Sequence, residues 1–582
     1  MRELESTRDT FESVWVAIVL AFVLRAFIVE AFVIPTGSMA PRLYGEHLQV
    51  TCPACGYEYA FGSVADIHQR GVRHPEQSPL GALCPNCGSP PLDKKGMIRS
   101  GDRVLVMKYL YDFREPSPWD VVVFKNPQNN RENYIKRLIG LPGEMIEIVH
   151  GDVFVRRGRD CDGDGRIDRR DFSHPEAGNL LPWTIRRKPR VAQEAMWQVV
   201  YDNDYRLDLS VFDRQARDDT PRPPRWEDLA HTERWDLSGE NGRMFSFAGG
   251  QRAELTFVAA DSVFLPHYGY NARNVEIQSG NIRPGVDVCS DLRLSFTFVP
   301  DSPDACVSLL LTSMEHQFKA ELHGDGAAAL LHRTDGQEPW TEWGAVRLAP
   351  LKTGRGYELA LTHVDFRVSF EVDGREVLVS RDEKYPGNQG ETKKQLEDRL
   401  RQAVDGARPI PTPKVRIAAW GGKSDFRHIK LVRDEYYTCP DGLHEDRTRI
   451  PAVLLKYFDR LAAMGRIPDP PQAWGVTGNP VVLDKGPDRD LDEFFVLGDN
   501  SPQSLDGRSW SSAAATLRLW AKDGRIIPDW QAGAEPVYKL GTVPRYNLIG
   551  KALFVYWPSG FSVPALPQIP IVPNVGRMRF IR

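Results

Sequence analysis

The stretch Asn133-Tyr134-Ile135-Lys136-Arg137-Leu138-Ile139-Gly140-Leu141-Pro142-Gly143 decides how this chain is read. Its alternation and its Leu-Pro-Gly ending predict a β-strand that runs into a turn. Alternation sends Tyr134, Lys136 and Leu138 to one face. A lysine flanked in this way by apolar side chains loses charge through desolvation and becomes a general base near neutral pH. The same residues also suit a lysine that snorkels from an edge strand, its stem on apolar surface and its ammonium in water. Just upstream, Asp120 to Phe124 reads as a second, buried strand.

Working outward, the chain has 582 residues, enough for about three to five domains of roughly 100 to 200 residues each. Hydrophobic residues at 41% and charged residues at 26% are ordinary globular values, which argues against disorder, collagen and a polytopic membrane protein. Lys plus Arg number 74 against 78 Asp plus Glu, so no broad basic footprint for nucleic acid exists. With 44 Pro and 48 Gly, many turns and short strands are expected, and the fold class is mainly β.

The one long apolar run lies at the start. Val14 to Leu24 is unbroken, and after Arg25 the run resumes to Ile34 with Glu30 as its interruption. Residues 14–34 therefore read as a single transmembrane anchor, with Arg25 reaching an interface. A cleavable leader is the competing reading, but residues 1–13 carry four acidic groups against Arg2 and Arg8, and no clean small-x-small site follows. The turn Pro35-Thr36-Gly37-Ser38-Met39-Ala40-Pro41 comes next and projects a serine, a feature shared with ordinary loops. Far downstream, Glu493 to Leu497 reads as a strand entering the polar turn Gly498-Asp499-Asn500-Ser501, with Ser504, Asp506, Gly507 and Arg508 beyond it.

These segments in this order, with Gly101-Asp102-Arg103-Val104-Leu105-Val106-Met107-Lys108, resemble the motif set of the bacterial type I signal peptidases. Asn547 to Ala552 and Tyr556-Trp557-Pro558 resemble that family's closing strands. The resemblance covers about a third of the chain, chiefly 14–50, 97–156 and 490–560. It implies Ser38 as nucleophile and Lys136 as general base, a pair that needs no histidine. It further implies an oxyanion hole from the Ser38 N–H and the Thr36 hydroxyl. Ser504 would orient the lysine ammonium, the Gly-Asp-Asn turn would support the lysine, and Asp506 with Arg508 would form a supporting ion pair. Phe32, Ile34, Met39 and Ile135 match apolar positions around clefts that admit small residues, as in Ala-x-Ala. No cofactor is implied for catalysis.

The rest is inserted. Cys52-Pro53-Ala54-Cys55 and Cys84-Pro85-Asn86-Cys87 are Cys-x-x-Cys pairs separated by 28 residues, the spacing of a structural zinc ribbon, with two disulfides as the alternative. Asp160, Asp162, Asp164, Arg166, Asp168 and Asp171 fall at positions one, three, five, seven, nine and twelve of an EF-hand-like loop. Calcium is the expected ligand, with a solvated acidic turn as the alternative. Between 239 and 437 eight short alternating runs predict a two-sheet sandwich: Arg252 to Val258, Arg293 to Val299, Cys306 to Thr312, Gln317 to Leu322, Tyr357 to Thr362, Arg367 to Val372, Lys414 to Ala419 and Phe426 to Val432. Phe366 to Gly374 and Phe426 to Leu431 resemble a concanavalin-like jelly roll, which would allow a carbohydrate or cell-envelope ligand.

The expected architecture is a signal-peptidase-type β-fold core behind one transmembrane helix. It comprises a cytoplasmic head 1–13, the anchor 14–34, a discontinuous core in 35–50, 97–156 and 490–560, and a zinc-ribbon insertion 51–96. The loop-bearing insertion 157–238, the sandwich 239–437, a linker 438–489 and a tail 561–582 complete it. The expected function is removal of signal peptides from exported preproteins, at the cytoplasmic membrane and on its extracytoplasmic face, with membrane lipid and preproteins as partners and no nucleic acid. A tethered binding or scaffold protein is the rival, against which both Ser38 and Lys136 are present.

Overall fold

The computed structural model of the protein describes residues 12–20, 28–62, 83–90, 97–161, 163–173, 181–216, 220, 222–270, 283–336, 339–438, 473–486, 489–510, 519–520, 526–527, 541–559, 561–563, 566–572 and 574–581. Its core strands are β1 (Val29–Val33), β2 (Arg103–Met107), β3 (Val121–Asn126), β4 (Asn129–Gly140), β5 (Glu144–Val149), β6 (Asp152–Arg157), β7 (Glu493–Leu497), β8 (Val543–Pro544) and β9 (Leu548–Trp557). The main sheet runs β1-β2-β9-β3-β4-β7-β8, so strands from the two ends of the chain are neighbours. A second sheet joins β5 and β6 to Thr184–Ile185 and Val481–Val482.

The Val-Val-Val-Phe run of β3 is apolar throughout because both of its faces are covered, and a strand buried on both sides has no polar face to show. Val121 and Val123 pack with Ile34, Met39, Val104 and Ile135. Val122 and Phe124 pack on the other side with Leu138, Phe494, Val496 and Trp510. The register between β3 and β4 places Lys136 opposite Val122. The lysine thus enters a sheet whose two faces are dry.

Two further sheets share one large core. One includes Leu292–Pro300, Tyr357–Val364, Arg367–Val372 and Ser424–Arg433, and the other Ala253–Val258, Cys306–Ser313, His316–Leu322 and Val415–Trp420. All eight expected runs fall on these strands. Burial alternates strictly along Leu292–Pro300, as one inward face requires. The first sheet also takes Gln198–Asp202 and Trp235–Ser238, and the second Arg225–Glu227, so the sandwich starts well before residue 239. These short edge strands lack the length that would mark them in sequence.

Other boundaries also move. Residues 12–20 are helical, but β1 is a strand, paired residue for residue with β2, so the apolar run 14–34 is not helical to its end. An apolar run of this kind does not distinguish helix from strand, and the free edge of β2 supplies hydrogen bonds that decide it. Residues 21–27 lie outside the described residues, and no helix among the described ones is long and apolar enough to cross a membrane. The expected linker 438–489 contains Val481–Val482, which pairs with Met145 and Ile146 of β5. The expected tail supplies Arg579–Phe580, which pairs with Phe554 and Val555 of β9. Asp162, Cys439, His68 and His74 lie outside the described residues.

Candidate active site

Ser38 sits in a single helical turn, Gly37–Met39, directly after β1. The Gly-Asp pair at 101–102 holds this segment. Ile34 N–H donates to the Asp102 carbonyl at 2.9 Å, and the Asp102 carboxylate accepts from the backbone N–H groups of Tyr44 and Ser559, each at 2.9 Å. A Cβ on Gly101 would lie 1.8 Å from the Ile34 carbonyl oxygen, so only glycine allows the chain to pass there.

Lys136 reaches Ser38 from β4. Its Nζ donates to Ser38 Oγ at 2.6 Å and lies 5.3 Å from the centre of the Tyr134 ring. Both residues are buried. Burial pushes the Lys136 ammonium down to about 8, although the Asp506 and Asp499 carboxylates act to hold its proton. The arrangement can therefore supply a neutral amine, hydrogen-bonded to a hydroxyl, close to physiological pH.

The turn after β7 clamps the Ser38 turn. Asn500 donates its backbone N–H to the Ser38 carbonyl and its Nδ2 to the Gly37 carbonyl, both at 3.0 Å. Gly498 passes so close that a Cβ there would stand 2.1 Å from Ser504 Oγ and 2.5 Å from the Ser38 carbonyl oxygen. The Asp499 carboxylate takes Arg137, whose Nε and Nη2 donate to its two oxygens at 2.7 and 2.6 Å. The expected support of the lysine by this turn is thus indirect: Asp499 anchors the next residue on β4, and Asn500 holds the serine.

Asp506 and Arg508 form a fully buried ion pair at 2.7 Å. Burial would raise the Asp506 carboxyl, but Arg508 and the Gly498 N–H hold it below the usual carboxylate range. Arg508 also donates to Ser501 Oγ and to the Thr438 carbonyl, tying the end of the sandwich insertion to the site. No hydrogen bond joins Ser504 to Lys136 among the described residues; its buried hydroxyl instead helps to hold the Asp506 carboxylate. The lysine donates to Ser38 and to the Ile135 carbonyl, the latter at 3.2 Å.

Phe32, Ile34, Met39 and Ile135 come together in one apolar cluster beside the turn. Thr36 is half-buried and does not cap the turn with its side chain. One contributor was not foreseen. Tyr270, from the sandwich insertion, lies over Gly37, its hydroxyl 3.0 Å from where a Cβ would stand, and packs with Ala40 and Ala60. Nothing local to residue 270 announces this contact.

Away from the site, the four cysteine sulfurs 52, 55, 84 and 87 lie within 4.8 Å of one another and are buried. The Cys52–Cys87 and Cys55–Cys84 separations are both 3.6 Å. Disulfide sulfurs stand about 2.05 Å apart. Tetrahedral zinc with bonds of about 2.3 Å places its sulfurs about 3.8 Å apart, so these residues fit zinc. In the acidic loop, Asp160 accepts from the N–H groups of Gly163 and Gly165, and Asp171 from those of Cys161 and Asp168. Asp164 and Asp168 are engaged by Arg170, and Arg166 puts its backbone N–H onto Asp164.

Residues 95–195 match the family described as "Signal peptidase, peptidase S26". Similar relatives include Signal peptidase I of Rickettsia typhi, 30% identical over 152 residues that cover 26% of this chain and 44% of that protein. The Rickettsia bellii enzyme is 26% identical over 153 residues, covering 26% and 40%. The chain thus spans less than half the length of these curated relatives. Among solved structures, the carbohydrate binding module CBM66 of Bacillus subtilis covers 35% of this chain and 94% of its own, at 10% identity and a TM-score of 0.22, too low to carry an argument. The family match spans the strand that carries Lys136, and the fold brings Ser38 to that strand from outside the match. Over residues 95–195 the chain is thus similar to the family described as "Signal peptidase, peptidase S26".

Proposed function

We propose that this protein is a serine endopeptidase that removes signal peptides from exported preproteins. The observation that carries this reading is the buried 2.6 Å contact from Lys136 Nζ to Ser38 Oγ. With Lys136 neutral, Nζ takes the hydroxyl proton as Oγ bonds to the scissile carbonyl carbon. It returns that proton to the leaving amine as the C–N bond breaks, and then activates the water that releases the acyl group from Ser38. The Ser38 N–H and the Thr36 hydroxyl are the oxyanion donors in this proposal, each worth a few kcal/mol to the transition state.

The sheet order leaves β1 at an edge, immediately before the nucleophile. An extended substrate adds there as a further strand, with alternate side chains toward Phe32, Ile34, Met39 and Ile135. The space beside so packed a cluster suits small residues such as alanine. Membrane attachment, on the extracytoplasmic face, belongs to the same proposal. It is supported by the apolar helix at 12–20, where Trp15 is 61% and Val16 67% exposed. The four cysteines would hold structural zinc. The Asp160 to Asp171 loop would hold calcium once Arg170 leaves Asp164 and Asp168.

Detergent-solubilised protein should cleave a preprotein with an Ala-x-Ala site, and Ser38→Ala should reduce cleavage to background. Full activity in Ser38→Ala would sink the reading.

A further inference from the structure

The hairpin of β5 and β6 turns at His150-Gly151 and thrusts its tip from the peptidase core into the sandwich. There it borders a cavity of about 330 Å³ lined by His150, Asp152, Asp291, His363, Tyr385 and Arg399, among others. None of these groups takes part in the serine chemistry.

Three carboxylates meet at this junction. Oxygens of Asp152, Asp291 and Asp365 all lie within 4.8 Å of one another, although they come from the core hairpin and from two separate places in the sandwich. Three oxygens no more than 4.8 Å apart lie within about 2.8 Å of a common centre, so a closure of a few tenths of an ångström lets one calcium-sized ion, with bonds of about 2.4 Å, touch all three.

The protein's own cations do not neutralise the cluster. Lys188 Nζ divides itself between Asp365, at 3.0 Å, and a fourth carboxylate, Asp434, at 2.6 Å. His363 Nδ1 stands 3.0 Å from Asp291, whose other oxygen accepts the Asp365 N–H at 2.7 Å. The Asp152 carboxylate forms no hydrogen bond or ion pair among the described residues. Four carboxylates thus face one ammonium and one imidazole in a largely enclosed place, where an uncompensated charge is costly.

A second, independent observation points the same way. His150 is only 8% exposed, lines the same cavity, and has a buried Nε2 without a partner. Its ring hydrogen-bonds through the other nitrogen to the Val286 carbonyl. Nε2 is then left with a lone pair, an acceptor facing no donor. Buried polar atoms in folded proteins are nearly always paired, with water or a ligand where not with protein.

We propose that Asp152, Asp291 and Asp365 bind one hard divalent cation, of the calcium or manganese class, at the junction of the peptidase core and the sandwich. Water in the cavity fills the remaining positions of the ion, and His150 Nε2 accepts a hydrogen bond from one such water. Lys188 remains with Asp434. The ion ties the core hairpin to the insertion, so that the sandwich and the peptidase become one unit whose rigidity depends on the cation. This inference does not rest on the peptidase reading.

The test titrates CaCl₂ and MnCl₂ into the whole 582-residue protein by calorimetry, with manganese also followed by electron paramagnetic resonance. An Asp160→Asn background removes the acidic loop as a competing site. In that background one ion per chain should bind, and saturating calcium should raise the Tm by several degrees. Asp152→Asn loses no native contact and should fold; it should weaken binding at least tenfold and abolish the calcium-dependent shift. His150→Phe should weaken binding by a smaller factor. Undiminished binding in Asp152→Asn, or no binding and no Tm shift in the Asp160→Asn protein itself, would overturn the proposal. Should Asp152→Asn fail to fold, those measurements on the Asp160→Asn protein decide it alone.

Discussion

Arg137 and Asp499 stand 362 positions apart in sequence and form a two-pronged ion pair at 2.7 and 2.6 Å, both side chains at most 1% exposed. Each has a neighbour that bears on the Ser38–Lys136 contact. Arg137 follows Lys136 on β4, and Asp499 precedes Asn500, which holds the Ser38 turn by two hydrogen bonds. The pair ties the Lys136 strand to the turn that holds Ser38.

Asp499→Ala leaves the Arg137 guanidinium buried and still donating to the Trp119 carbonyl at 2.9 Å, but without its carboxylate. Loss of one member of a buried pair costs about 3–5 kcal/mol. We expect a large fall in Tm, and kcat/KM reduced even at temperatures where the variant is folded. Calorimetry with a peptide-cleavage assay checks this; a variant as stable as the parent would show that the pair contributes nothing.

Lys136 links activity and stability to pH with a definite sign. Its folded-state value is pushed down from 10.5 to about 8. The folded protein therefore binds fewer protons than the unfolded chain between those values, and stability gains from this group as pH rises through that window. Below pH 8 the fold bears the full cost of the buried ammonium, on the order of 3 kcal/mol. In the proposed mechanism activity needs the neutral amine, so kcat/KM should climb through about pH 8 and then level. Lys136→Met should be inactive yet more stable at pH 7. A flat pH profile from 6 to 9, or a Met variant clearly less stable than the parent, contradicts this account.

Gly498→Ala tests the closeness of the two turns. The new methyl would meet the Ser38 carbonyl oxygen at 2.5 Å and must push the nucleophile turn aside. Misplacing a reacting group by about 1 Å costs roughly 100-fold in rate. A loss of that size in kcat/KM is expected, with 1–3 kcal/mol of destabilisation from overpacking. Unchanged kinetics in crystals or solution would mean that the turns separate freely.

For the cysteine cluster we expect one zinc per chain by elemental analysis, and close to none in Cys84→Ser. The ribbon packs on Phe212 and Val211 of the insertion, so metal loss should also lower the Tm. Its effect should reach the active site, because Tyr270 bridges the Gly62 carbonyl and the Gly37 turn. Two oxidised pairs and no zinc would refute the assignment.

Local pattern was informative where a strand lies between two dry faces. Val121 to Phe124, the Lys136 strand and the eight sandwich runs are legible because burial of alternating or continuous apolar residues is written position by position. Short edge strands such as Arg225–Glu227 and Val481–Val482 are not, since their pairing partners, far away in sequence, make them strands at all. The same holds for β1, where an apolar run suited to a helix is drawn into a sheet by the open edge of β2.

By itself the sequence determined which chemistry was available: a serine on a glycine turn, a lysine on an apolar strand, and four cysteines at zinc spacing. Only the tertiary structure decided how these groups are used. It set Lys136 against Ser38, gave Asp499 to Arg137 and Asn500 to the serine, set Ser504 beside Asp506, and gathered Asp152, Asp291 and Asp365 at one junction. The reason is physical. Side-chain type and strand period are local properties, whereas a depressed lysine pKa, a buried ion pair and a shared carboxylate site depend on groups brought together across hundreds of residues and on the water excluded when they meet.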